Sequence, residues 1–288
     1  MPDIWEAALV LVKLLLYVGI LGATGLVIVR MAFSDLLLPV AGRMRRQAIS
    51  LAGLAFLASA FGFLLRGAAL VGGVDGMSDP EILSLLWQTP VGDVLVLRLL
   101  AAALIVLGLL ASRLGLWIAL SGGLLALWSF ARIGHIPEVP VPGAQALLVL
   151  HLLGGSFWIG ILGPLRDLSG RPEHLSLAAQ LGHRFGNIAM VGVPALLLAG
   201  AVMAWLLVGD PRALVATGYG RTLLVKLVLV ATLLALAAAN KLRFVPAMRA
   251  GDHSAARHLR RSIDVEAALI LAALAVTAAL TSVLTLPT

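Results

Sequence analysis

No cysteine occurs among the 288 residues, so neither a disulfide nor thiolate ligation of a metal is available to this chain. Charge is scarce too: 12% of the residues are Asp, Glu, Lys or Arg and 61% are hydrophobic, against roughly 25% charged in an ordinary soluble domain. Such a chain cannot cover a soluble domain with polar surface and reads as a membrane protein. Long polar connections are also missing, which leaves no room for a separate soluble domain. Ahead of the first apolar run, "MPDIWE" has neither the basic region nor the small-residue cleavage site of a signal peptide, so that run is expected to stay as a helix.

What is present is a series of apolar runs of about 20 residues, the length that crosses the hydrocarbon core. Eight are read, over 7–29, 47–70, 92–111, 114–134, 144–165, 186–208, 220–240 and 263–285, the split at Ser112-Arg113 being the least marked. In lipid each must satisfy its own backbone, so all eight are expected to be helical. The net charge of +7 does not point to nucleic acid, because it follows the loops. Alternate loops hold fourteen basic residues (Arg30, Arg43, Arg45 and Arg46; Arg113; Arg166, Arg171 and Arg184; Lys241, Arg243, Arg249, Arg257, Arg260 and Arg261). The other loops hold three, Arg132, Arg212 and Arg221, beside the acids Asp75, Asp79, Glu81, Glu138 and Asp210. By the positive-inside rule the basic set is cytoplasmic, and both termini face the periplasm.

The two halves, 1–134 and 135–288, resemble each other. "DPEILSLLWQTPVGDVLVLRLL" parallels "DPRALVATGYGRTLLVKLVL", with Thr89, Gly92 and Arg98 falling on Thr217, Gly220 and Lys226. A slightly larger offset sets Lys13 on His151, Arg46 on Arg184 and Gly62 on Gly200. Four spans per half give both halves one orientation, so the expected fold is all-α, eight transmembrane helices in a parallel 4+4 repeat about an axis along the membrane normal.

Ionisable residues inside spans are where function is sought first, although long basic side chains near span ends also snorkel to the headgroups. Lys13, Arg98 and Lys226 lie about six residues inside the outer ends of their spans and Arg66 about four, less than roughly 10 Å deep. Together they can hold an anionic group, and they repel a hydrated cation. His151 lies at the same depth in "LLVLHLLGGSFWIG", with Gly155 and Trp158 continuing its helix face and Ser156 and Gly160 spaced to admit a neighbouring helix closely. A neutral imidazole there either hydrogen-bonds across helices or ligates a metal or haem iron. Met203 matches its depth on the next span. His135 closes span four beside the stiff connector "HIPEVPVP"; Glu138 follows it, and Met77 lies in another outer loop. His183 and Met190 belong to the opposite end, and His174, His253 and His258 to the basic loops.

Read in order, "GH" at 134–135, "LHLLGGSFWIGILGPL" from 150, "RF" at 184, "TGYGRTLLVKLVLV" from 217, "ANKLRFVPAMR" from 239 and "LRRSIDVEAAL" from 259 resemble the copper resistance D (CopD) family of bacterial inner-membrane proteins. The resemblance covers spans four to eight and implies a multi-span protein of the inner membrane. It further implies movement of copper inward from the periplasm, often beside a small periplasmic carrier, CopC. That is a transporter or metal-binding protein rather than an enzyme. On this sequence the copper ligands are assigned to His135, Glu138 and Met77 at an outer capture site and to His151 and Met203 at a deeper one. Imidazole with thioether suits Cu(I) and imidazole with carboxylate Cu(II), which leaves the oxidation state open. Against transport, the outer loops lack methionine clusters. The family's likeness to membrane b-type cytochromes keeps a second reading: a haem b protein or quinol oxidoreductase with His151 and either His135 or Met203 as axial ligands, and Lys13, Arg66, Arg98 and Lys226 paired with the haem propionates.

Overall fold

A computed structural model describes residues 4–111, 114–136, 139–250 and 252–284. The chain folds into helices α1 (Ile4–Ala32), α2 (Ala41–Val71), α3 (Pro80–Trp87), α4 (Pro90–Leu110), α5 (Gly115–Phe130), α6 (Ala144–Ser169), α7 (Leu175–Val208), α8 (Ala213–Ala216), α9 (Gly218–Ala239), α10 (Val245–Arg249) and α11 (His253–Leu280). A π-helical turn, Asn240–Phe244, joins α9 to α10. No strand occurs among the described residues.

The helix ends follow local chemistry. Asp79 accepts from the N–H groups of Glu81 and Ile82 to cap α3, and Thr89 accepts from Val91 to cap α4, each followed by proline at the first helical position. Gly72 and Gly209, both at positive φ, stop α2 and α7.

Seven helical stretches are long and apolar enough to cross a membrane: Ile4–Ala32, Leu38–Val71, Pro90–Leu110, Ala144–Ser169, Pro172–Val208, Gly218–Arg249 and Ser254–Leu280. The fourth expected span, 114–134, corresponds to α5, whose 16 residues reach about 24 Å, short of a hydrocarbon core of about 30 Å. The expected break at Ser112-Arg113 lies outside the described residues. On either side of it α4 and α5 run antiparallel with their backbones in contact. A β-carbon at Gly122 would meet Ala101 O at 2.7 Å, and Gly108 packs in the same way against Gly115 and Ala119.

Helix α1 is the centre of the bundle, packed against α2, α5, α6 and α11. Small residues make this possible. At Gly19 a β-carbon would come within 2.8 Å of Leu51 O on α2, and Gly25 lies directly on Ser156 and Gly160 of α6. The Ser156–Gly160 pair therefore does admit another helix, and that helix is α1. The face of α6 that carries His151, Gly155 and Trp158 is a different one, and it is not tightly packed.

Candidate functional site

That face opens on a cavity of about 920 Å³ at the end of the bundle where α1 and α6 begin and α7 and α11 end. Its walls are mostly apolar, and among its lining residues are Lys13, Arg66, Arg98, Lys226, His135, His151 and Met203. The fold thus gathers onto one cavity seven of the nine residues singled out from the sequence. Met77 is elsewhere: it packs, partly buried, against the apolar cluster around α1 and does not line the cavity. Glu138 lies outside the described residues.

His151 Nδ1 is 3.0 Å from the carbonyl oxygen of Leu196 on α7. A carbonyl only accepts, so Nδ1 carries the proton and the neutral ring keeps its lone pair on Nε2. The bond needs a close approach of α7, and Gly200 permits it: a β-carbon there would stand 3.1 Å from His151 Cε1. Nε2 of His135 is buried with no hydrogen-bond partner among the described residues, and the ring stands edge-on to Tyr219 at 6.2 Å. Ile136, next in the chain, shares a small apolar cluster with Met203. The loop bearing His135 is thereby fastened beside the thioether of α7.

The four cations are held differently. Lys13 Nζ donates to Thr281 O at 2.6 Å, at the carbonyl end of α11 where a helix dipole favours positive charge. Arg98 donates from Nε to Ser129 Oγ at 3.1 Å and lies over the Phe130 ring, 5.0 Å from its centroid. Phe130 in turn stacks on Tyr17 at 4.9 Å. Arg66 and Lys226 make no hydrogen bond among the described residues, and no ion pair ties any of the four to Asp93 or Glu81. The ion pairs found among the described residues all lie at the opposite end of the bundle: Arg43 with Asp167 at 3.1 Å, Arg166 with Asp264 at 2.5 Å and Arg184 with Asp35 at 2.7 Å.

Sequence reasoning passed over Tyr17 and Tyr219 on the cavity wall, and a buried acid, Glu266 on α11, 2% exposed. A carboxylate inside the last apolar run was the signal that could have found Glu266. Among the described residues no group of three or more His, Cys, Asp or Glu side chains is placed to hold a metal ion. Besides the imidazoles of His135 and His151 and the thioether of Met203, the cavity is lined by the carboxylate of Asp210 and the phenols of Tyr17 and Tyr219.

No solved structure matches the chain. Over 112 residues it is 33% identical to the inner membrane protein YebZ of Escherichia coli (strain K12), and that match spans 37% of this chain and 37% of the relative. Residues 1–136 match the copper resistance protein D-like amino-terminal domain, and residues 179–280 match copper resistance protein D. With the two regions in succession along one all-helical, multi-span chain, the protein belongs to the copper resistance protein D family.

Proposed function

We propose that this protein sits in the bacterial inner membrane and takes copper, as Cu(I), from the periplasmic side into the cavity, with His151, His135 and Met203 as its ligands. The observation that carries this is the tautomer of His151. Its Nδ1 is bound to Leu196, so the nitrogen left for a ligand is Nε2; His151 lines the cavity together with His135, whose own Nε2 has no partner among the described residues. Two imidazoles and a thioether form a low-coordinate set that suits Cu(I). The surrounding cations favour the same ion, since they oppose a divalent charge twice as strongly as a monovalent one. A CopC-like periplasmic carrier is the proposed donor, and the proposal puts both termini on its side of the membrane.

The pairing of the halves 1–134 and 135–288 is supported by matched local roles. Thr89 and Thr217 each cap a helix. Gly92 and Gly220 each lie against a carbonyl of the preceding chain, those of Trp87 and Ala213. Arg98 and Lys226 both line the cavity, as do Lys13 and His151.

The test is the copper content of purified protein after exposure to Cu(I), measured by inductively coupled plasma mass spectrometry. Stoichiometric copper in the wild type and its loss in His151→Ala are expected; no copper in either overturns the proposal.

A second reading, haem b held by His151, is favoured by one observation: Lys13, Arg66, Arg98 and Lys226 surround an apolar cavity, as haem propionates require. Bound haem would supply redox chemistry, with His151 Nε2 as ligand and the four cations as anchors. An absorption spectrum after haem-replete expression decides it, since a protein without a Soret band is not a haem protein.

A further inference from the structure

Glu266 is the one charged side chain buried among the described residues. It lies on α11, fifteen residues before Thr281, which places it about 22 Å along the helix from the Lys13 contact, toward the basic end. Trp158 Nε1 donates to its Oε2 at 3.2 Å, and Asn240 Nδ2 donates to its Oε1. Asn240 is brought there by the π-helical turn that ends α9, a device common at functional sites. Its own Oδ1 is buried and has no partner among the described residues.

These groups line a second cavity of about 200 Å³, room for several waters at about 30 Å³ each. Helix α6 contributes Trp158 and apolar residues to it; α7, α9 and α10 contribute glycine and apolar residues only; α1 contributes none. The cavity's single cation is Lys241 of the π turn, and its Nζ donates to Gly186 O at 2.8 Å. Glu266 therefore has neutral hydrogen-bond donors and no cationic partner among the described residues. A lone carboxylate with no second acid and no imidazole beside it is a poor metal site, and no such cluster exists among the described residues. What a lone intramembrane carboxylate exchanges most readily is a proton. Trp158 lines both cavities, so the carboxylate is one side chain away from the larger one.

We propose that Glu266 is a proton-binding site, loaded from the basic end of the bundle through the smaller cavity. The proton passes between a water of that cavity and a carboxylate oxygen of Glu266, and no electron moves. Such a site gives the protein a second ion to exchange alongside the one proposed for the larger cavity.

Infrared difference spectroscopy of the full-length, metal-free protein, titrated from about pH 6 to 10, above the range in which exposed carboxyl groups titrate, tests this. A protonated-carboxyl band that disappears as pH rises is expected in the wild type and should be missing in Glu266→Gln. Trp158→Phe, which keeps the acid and removes one donor, should retain the band at higher wavenumber, and it serves if Glu266→Gln fails to fold. No pH-dependent carboxyl band in the wild type, the same band in Glu266→Gln, or a band unmoved in Trp158→Phe overturns the proposal. Because no metal enters the measurement, its failure is separate from failure of the copper reading.

Discussion

His151 and Leu196 join α6 to α7 through a single bond, imidazole Nδ1 to backbone carbonyl at 3.0 Å, and that bond decides which nitrogen remains to bind a ligand. Gln at position 151 can keep a donor for the carbonyl but has no imidazole lone pair. The His151→Gln protein is therefore expected to fold with a stability change of about 1 kcal/mol and to lose its copper. His151→Leu should lose copper as well and be the less stable of the two. Thermal unfolding and metal content of the purified variants check both, and full copper content in His151→Gln would show that the histidine is structural only.

Gly200 tunes the same contact. A methyl group there stands 3.1 Å from Cε1 and 3.4 Å from Nδ1, so Gly200→Ala must push the ring by a few tenths of an ångström. Weaker copper binding with the fold retained is expected, whereas Gly200→Val should cost about 1–3 kcal/mol by overpacking and abolish binding. Copper titrations at sub-saturating metal, run beside unfolding curves, separate the two effects.

The cations discriminate between the two readings of the cavity. A unit charge at roughly 8–10 Å in an effective dielectric of about 20 acts on an ion with about 2 kcal/mol, more than tenfold in affinity. Arg98→Gln and Lys226→Gln should each tighten copper binding if copper is the occupant, and should weaken retention of haem if haem is. Lys226 makes no hydrogen bond among the described residues, so it is the cleaner of the two; Arg98→Gln also loses the contacts to Ser129 and Phe130.

Depth was legible in the sequence and direction was not. The ends of the apolar runs placed Lys13, Arg66, Arg98, Lys226, His151 and Met203 at one level, and the fold puts all six on one cavity. Which way each pointed could not be read, because helices that are apolar all round carry no polar face to mark the inside. Met77 shows the limit: its loop fixed which end of the bundle it occupies, yet the side chain packs against the cluster around α1. Glu266 lies near the start of the run 263–285, at the opposite end of the bundle from His135 and His151. Its partners, Trp158 and Asn240, stand 108 and 26 residues away in sequence, a relationship that only the folded chain displays.

The proposed orientation in the membrane rests on how charge is divided between the two ends of the bundle. The end carrying the connections α1–α2, α6–α7 and α9–α11 holds Arg43, Arg166, Arg184, Lys241 and Arg243, together with all the ion pairs found among the described residues. Cytoplasmic loops carry the excess of Lys and Arg, so this end is the one proposed to face the cytoplasm. On the proposed orientation the end bearing the 920 Å³ cavity opens to the periplasm, where a copper donor would be found. A reporter active only in the periplasm, fused after Thr288, is expected to work, and one active only in the cytoplasm is expected to work when inserted between α10 and α11. Alkaline phosphatase and green fluorescent protein fusions read the two sides independently. The reverse pattern would put the cavity on the cytoplasmic side and turn the proposed uptake into delivery from within.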